Sequence, residues 1–226
     1  MKQANIILAL DVDTLARAKY FVNKLYPQIK IFKVGAQLFT ACGPDIIEFI
    51  RKAGADVFLD LKFFDIPNTV ANAVRAATRH RVKMLTLHIL GDEEMLKQAV
   101  AAGLDEARQL KIPRPLLIGV TVLTSKEAKS SDVLTLAKLG LESGLDGVVC
   151  SAKEAPFLRS HIKRKFLIVT PGIRPAGAKK YDQKRTVTAQ QALKAGSNFL
   201  VVGRPILEAR DPKEVINQIK AELKRI

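Results

Sequence analysis

The sequence predicts an α/β fold, a single-domain (β/α)8 barrel occupying residues 1–226, and three observations predict it. Eight short runs rich in β-branched and apolar residues recur along the chain, mostly at steps of about 26 to 33 residues, the length of a strand, a helix and two loops. The runs are apolar almost throughout rather than alternating, so each strand is covered on both faces, as in a parallel sheet wrapped by helices. Amphipathic segments fill the intervals, and no linker or low-complexity stretch interrupts the rhythm. Eight βα units in one unbroken domain favour a closed TIM barrel over a doubly wound open sheet.

Taken in order, the first strand begins near Asn5 and carries Ile6-Ile7-Leu8-Ala9-Leu10 up to Asp11. The second begins at Ile31, with Lys33 at its end. The helix after it starts at Gly43-Pro44-Asp45, where proline suits the first turn and an acid complements the helix dipole. The third begins at Val57 and ends in Asp60-Leu61-Lys62, with Pro67 opening the next helix. The fourth begins at Met84 and ends on His88. In the helix that follows, Leu96, Val100, Leu104, Ala107 and Leu110 form an apolar stripe, with Glu93, Glu94, Lys97, Asp105, Glu106 and Arg108 on other faces. Strands five to eight begin near Leu116, Gly147, Phe166 and Phe199. The last helix runs from Pro212 to Leu223, with Val215, Ile216, Ile219 and Leu223 on one side.

Bulk properties exclude several functions. The formal charge is +15, which fits either a nucleic-acid binder or a basic surface around an anion site. The densest basic cluster, Lys163-Arg164-Lys165, has no interleaved aromatics for base stacking, so nucleic acid is not the expected partner. No run approaches the roughly 20 apolar residues of a membrane span, and no membrane partner is expected. The apolar segment behind Met1-Lys2-Gln3 is too short for a secretory signal, so the expected location is the cytoplasm. Cys42 and Cys150 are each read as a buried reduced thiol, and with His80, His88 and His161 they show no metal-ligand spacing.

In β/α barrels chemistry sits at the carboxyl ends of the strands. The residues that end the apolar runs there include Asp11, Lys33, Asp60, Lys62 and His88. Strand alternation aims Asp60 and Lys62 together into the mouth and Leu61 outward. Asp65 falls in the loop beyond. An acid–lysine pair at one strand end reads equally well as a buried ion pair closing the barrel. Four ionisable groups on three neighbouring strands shift the reading to a functional site. A lysine held among carboxylates keeps its proton, so it is a proton donor rather than a Schiff-base nucleophile. Such an ammonium suits a step that generates a carbanion and then quenches it.

A second constellation joins Thr170-Pro171-Gly172-Ile173-Arg174 after strand seven to Val202-Gly203-Arg204-Pro205 after strand eight. Glycine admits phosphate oxygens to the backbone N–H groups, and arginine clamps them bidentately. The polar stretch from Pro175 to Arg185 reads as a lid or as a solvated loop. His88 faces the mouth or its rim and is read as a satisfied core histidine rather than a base.

The decapeptide Asp60-Leu61-Lys62-Phe63-Phe64-Asp65-Ile66-Pro67-Asn68-Thr69 resembles the most distinctive motif of the orotidine 5'-phosphate decarboxylases. Leu8-Ala9-Leu10-Asp11, Lys33-Val34-Gly35, Thr121-Val122-Leu123-Thr124-Ser125, Pro171 to Pro175, Asp182-Gln183-Lys184-Arg185 and Val202-Gly203-Arg204-Pro205 match in order, so the likeness covers essentially the whole chain. The resemblance implies a nucleotide substrate, conversion to uridine 5'-phosphate, and no metal or organic cofactor. It implies Lys62 as proton donor to carbon 6, Asp60 near the departing carboxylate, and Lys33 and Asp11 in the same network against the ribose. Thr124 or Ser125 would read the pyrimidine. Pro171, Arg174, Gln183, Gly203 and Arg204 would line the substrate and hold its phosphate. Asp65 and Thr69 would reach the neighbouring site of a homodimer. Two departures stand out: Ile89-Leu90 where the family has small residues, and Tyr181 before Asp182. The nearest alternative is a magnesium-dependent keto-sugar phosphate decarboxylase or hexulose phosphate synthase, which shares Asp-x-Lys-x-x-Asp but not the Ile66-Pro67-Asn68-Thr69 continuation.

Overall fold

The computed structural model of the protein describes residues 5–123, 129–175 and 187–224. Eight parallel strands close into a barrel in chain order, β1 pairing with β8. They are β1 (Asn5–Ala9), β2 (Ile31–Gly35), β3 (Asp56–Phe63), β4 (Met84–His88), β5 (Leu116–Val120), β6 (Gly147–Val149), β7 (Leu167–Thr170) and β8 (Phe199–Val202). The expected strand starts agree with these to within one residue. The open-sheet alternative is gone.

The uniformly apolar strands are explained by two cores. Ile7, Ala9, Ile31, Phe58, Met84, Ile118, Val169, Phe199 and Val201 fill the barrel interior. The outward residues, such as Leu8, Phe32, Leu59, Leu85, Leu117 and Val202, pack beneath the helices. With both faces buried, period-two polarity has no physical reason to appear.

The helices α1 (Leu15–Leu25), α2 (Ala36–Cys42), α3 (Asp45–Lys52), α4 (Pro67–Arg79) and α5 (Asp92–Gln109) wrap the first half. The second half has α6 (Ser130–Glu142), α7 (Ala155–His161), α8 (Ala189–Lys194), α9 (Arg204–Leu207) and α10 (Pro212–Lys224). The helix expected at Asp45 is α3, but α2 precedes it immediately after β2. Its sequence, AQLFTAC, buries only Leu38, too weak a stripe to register as an amphipathic pattern.

The stripe expected on α5 is corrected. Leu104 and Leu110 are 37% and 43% exposed, whereas Glu106 is buried. The buried face turns toward α4 and runs through Ala99, Ala102, Gly103 and Ala107, with Val74 of α4 packed at Gly103. Glu106 tolerates burial because Arg79, at the end of α4, grips both its oxygens at 2.8 and 3.2 Å.

The N-terminal end of the barrel is cross-linked by side chains. Arg114 grips Asp146 at 2.7 and 2.8 Å, and Asp146 also accepts the Leu117 N–H, joining the starts of β5 and β6. Arg159 donates to the Phe166 and Gly196 carbonyls and to Asn198, while its guanidinium covers the Phe166 ring, joining the starts of β7 and β8. The carboxyl end is left open.

Candidate active site

A cavity of about 240 Å³ opens at the carboxyl end of the barrel. Its apolar wall is Ala9, Phe58, Val120, Val149, Val169 and Val201, and its charged residues are Asp11, Lys33, Asp60, Lys62, Arg174 and Arg204. Pro171, Gly172, Gly203 and Pro205 complete the side formed by the loops after β7 and β8. Of the thirteen residues given a catalytic or substrate-binding role from sequence, eight therefore line one cavity: Asp11, Lys33, Asp60, Lys62, Pro171, Arg174, Gly203 and Arg204.

Asp11 lies two residues past β1, but Lys33 does not end its strand as expected. It sits in the middle of β2, pointing inward, with its side chain 12% exposed. Its ammonium lies 3.0 Å from Asp11 Oδ1 and 3.6 Å from Asp60 Oδ2. Gly35, two residues on, leaves the room for this: a Cβ there would stand 3.0 Å from Lys33 Nζ. A charge in this inner layer is tolerable only because two carboxylates face it.

Asp60 is the centre of the network. Its Oδ1 accepts Lys62 Nζ at 2.9 Å and the Thr86 hydroxyl at 3.0 Å. Burial pushes the Asp60 carboxyl up, but the Lys33 and Lys62 charges and the bonds from Lys62 and Thr86 more than offset it, holding the group below its ordinary range.

Lys62 arrives by a route that simple alternation misses. Between the pairs Leu59↔Leu85 and Phe63↔Leu87, β3 advances four residues while β4 advances two. This bulge puts Lys62 at φ 51°, in the left-handed region, which costs an L-residue roughly 1–2 kcal/mol. The Lys62 N–H donates to Thr86 Oγ1 at 2.9 Å. Leu61 still packs outward, against the helix-side core. Thr86, wholly buried on β4, is the site residue that sequence reading missed. Inside Met84-Leu85-Thr86-Leu87 it looks like any small strand residue, and the available signal was only its inward phase with Met84 and His88.

Other expected residues fall elsewhere. Asp65 and Thr69 are exposed and outside this chain's cavity; Asp65 Oδ1 accepts the Ile66 N–H at 2.7 Å. Beside them Phe64, Ile66 and Leu90 are 60%, 66% and 60% exposed, an apolar patch on the rim. His88 stacks near Phe64, ring centres 5.5 Å apart, and accepts the Leu90 N–H, so it serves the rim rather than the cavity. The Ile89 departure is absorbed internally, because Ile89 turns into the space left by Gly119 and Gly140. Thr124, Ser125, Tyr181 and Gln183, with nearly all of the Pro175–Arg185 stretch, lie outside the described residues. The residues flanking that stretch are joined beside the cavity: Arg174 N–H donates to the Val187 carbonyl at 3.0 Å. Among the described residues, no group of three or more His, Cys, Asp or Glu is placed to hold a metal ion.

Comparison with known proteins gives a consistent answer. The Orotidine 5'-phosphate decarboxylase / HUMPS family model matches residues 4–219. An orotidine 5'-phosphate decarboxylase of Vibrio cholerae is 47% identical over 234 residues, covering 99% of this chain and all of that protein. That of Aliivibrio fischeri is also 47% identical, covering 99% of this chain and 98% of its own. The crystal structure of orotidine 5'-phosphate decarboxylase from Lactobacillus acidophilus superposes with a TM-score of 0.84 at 37% identity, covering 97% of this chain and 99% of that one. By sequence across nearly its whole length and by the fold that carries the cavity, this chain belongs to the Orotidine 5'-phosphate decarboxylase / HUMPS family.

Proposed function

We propose that residues 1–226 form one cofactor-independent catalytic domain that converts orotidine 5'-phosphate to uridine 5'-phosphate and carbon dioxide in pyrimidine biosynthesis. The observation that carries this reading is the alternating Asp11–Lys33–Asp60–Lys62 array against the apolar wall of a cavity that also holds Arg174 and Arg204. The bond from ring carbon 6 to the carboxylate breaks, and carbon dioxide leaves the electron pair on carbon 6. Lys62 Nζ gives that carbon its proton and regains one from solvent. Asp60 faces the substrate's own carboxylate, and two like charges held together beside an apolar wall disfavour the bound acid relative to departing carbon dioxide. Lys33 and Asp11 hold the ribose and keep Asp60 charged. Arg174 and Arg204 clamp the phosphate, with Pro171, Gly172 and Gly203 keeping that wall close to it; Gln183 joins them, and Thr124 or Ser125 reads the ring.

The family also contains the metal-dependent reading. It is disfavoured here because the acids of the mouth are each taken by an ammonium, Asp11 by Lys33 and Asp60 by Lys62, and because the 47%-identical relatives are orotidine 5'-phosphate decarboxylases. We assign a homodimer in which Asp65 and Thr69 complete the partner's site. Their exposure outside their own cavity and the apolar patch of Phe64, Ile66 and Leu90 beside them support it. Two free thiols suit a reducing cytoplasm, and among the described residues no helix is long and apolar enough to cross a membrane.

The test is direct: purified protein, orotidine 5'-phosphate, excess chelator, and the ultraviolet absorbance followed in time. Turnover without added metal is expected. Complete loss that magnesium restores would transfer the chain to the metal-dependent branch.

A further inference from the structure

We infer that Thr86 is a positioning residue for the proton donor. Its hydroxyl fixes both the backbone of Lys62 and the rotation of the Asp60 carboxylate. The inference rests on the proposed role of Lys62.

The hydroxyl makes two bonds, and their directions are determined. An amide N–H can only donate and a carboxylate can only accept, so Thr86 Oγ1 accepts from Lys62 N–H at 2.9 Å and donates its one proton to Asp60 Oδ1 at 3.0 Å. One oxygen thus bridges the left-handed residue at the top of β3 and the acid two positions before it. Asp60 Oδ1 is shared between Thr86 and Lys62 Nζ, which leaves Oδ2 turned to Lys33. Rotation of the carboxylate would break one bond and misdirect the other.

Packing alone does not call for this hydroxyl. Thr86 is wholly buried, and its partner across the β4–β5 ladder, Ile118, is apolar. Valine has nearly the same shape and would serve an apolar inner layer as well or better. A threonine here has its use in the two bonds, both made to the charged pair of the mouth.

Three variants test the inference in the full-length protein, with Lys62→Ala as control. Thr86→Val keeps volume and removes both bonds; Thr86→Ala removes them without crowding, should the valine variant fail to fold; Thr86→Ser keeps the hydroxyl. With saturating orotidine 5'-phosphate, kcat of the Val and Ala variants is expected to fall about 10- to 100-fold, the size of effect that misplacing a reacting group by an ångström produces. KM is expected to move less than about threefold, since the loss is confined to the transition state. Thr86→Ser is expected to return kcat to within about threefold of the parent. A folded Val or Ala variant with kcat within twofold of the parent overturns the inference, as does a Ser variant as slow as Ala. If Lys62→Ala itself keeps more than about a tenth of the rate, the donor role falls and this inference falls with it. An inactive Lys62→Ala beside a fully active Thr86→Val removes only Thr86.

Discussion

Lys62 Nζ reaches Asp60 Oδ1 at 2.9 Å from a residue whose backbone has turned into the left-handed region, so their meeting depends on a bulge and not on strand alternation alone.

That geometry separates activity from stability at one position. Lys62→Ala and Lys62→Gly are both expected to lose more than 90% of turnover, equivalent to at least about 1.4 kcal/mol of transition-state stabilisation. Glycine accepts φ 51° without a Cβ clash, so Lys62→Gly is expected to unfold about 0.5–1 kcal/mol later than Lys62→Ala. Denaturant melts of the two variants check the difference. Equal stability would mean that the left-handed strain is no larger than the roughly 0.5–1 kcal/mol of extra unfolded-state freedom that glycine brings.

Acid stability follows from Asp60. Its folded carboxyl lies below the ordinary value of 3.8, so between the two values the unfolded chain binds more protons. Its contribution is therefore complete above about pH 4 and is lost as pH falls through the depressed folded value. Thermal melts of parent and Asp60→Asn protein from pH 5 down to pH 2.5 are expected to show a steeper fall for the parent. Parallel curves would contradict the depressed carboxyl.

Mixing two inactive variants tests the shared site. In the proposed homodimer, Lys62→Ala and Asp65→Ala are each expected to break every site of their own dimers. In a hybrid dimer, one site combines an intact Lys62 with an intact Asp65. Random exchange at equal concentrations makes half the dimers hybrid, so about a quarter of the parental activity is expected to return. No recovery under conditions where subunits demonstrably exchange would place Asp65 in its own chain's site.

The thiols should separate by reactivity. Burial pushes the Cys150 thiol far above its usual range, the Glu154 charge adds to this, and Arg159 opposes it only weakly. Cys42, expected from sequence to be buried, is only half-buried at the end of the short α2, so a reagent can reach its sulfur. A chromogenic disulfide reagent is expected to titrate one thiol in native protein and two in denaturant. Two fast thiols in the native state would contradict the burial of Cys150.

The barrel was legible from sequence because its strands are buried on both faces and its helices punctuate them regularly. Strand starts from Asn5 to Phe199 could be read this way, whereas α2 and the phase of α5 could not. A seven-residue helix with one buried leucine leaves almost no pattern. On α5 the residue that decides the phase is Glu106, and its burial depends on Arg79, 27 positions away. At the mouth, charged residues in apolar runs stood out by type, so Asp11, Lys33, Asp60 and Lys62 were visible before their geometry was. Thr86 was not, because a threonine in a strand is ordinary until its two partners are seen.

The two arginine clasps, Arg114 on Asp146 and Arg159 on Asn198, tie the first residues of four neighbouring strands at the end of the barrel away from Lys62. Rigidity is thereby concentrated at one pole and reactivity at the other. Variation in the upper loops can retune what the protein accepts while the lower pole holds its circumference. Damage below should shorten the protein's life in the cell long before it alters what each surviving molecule does.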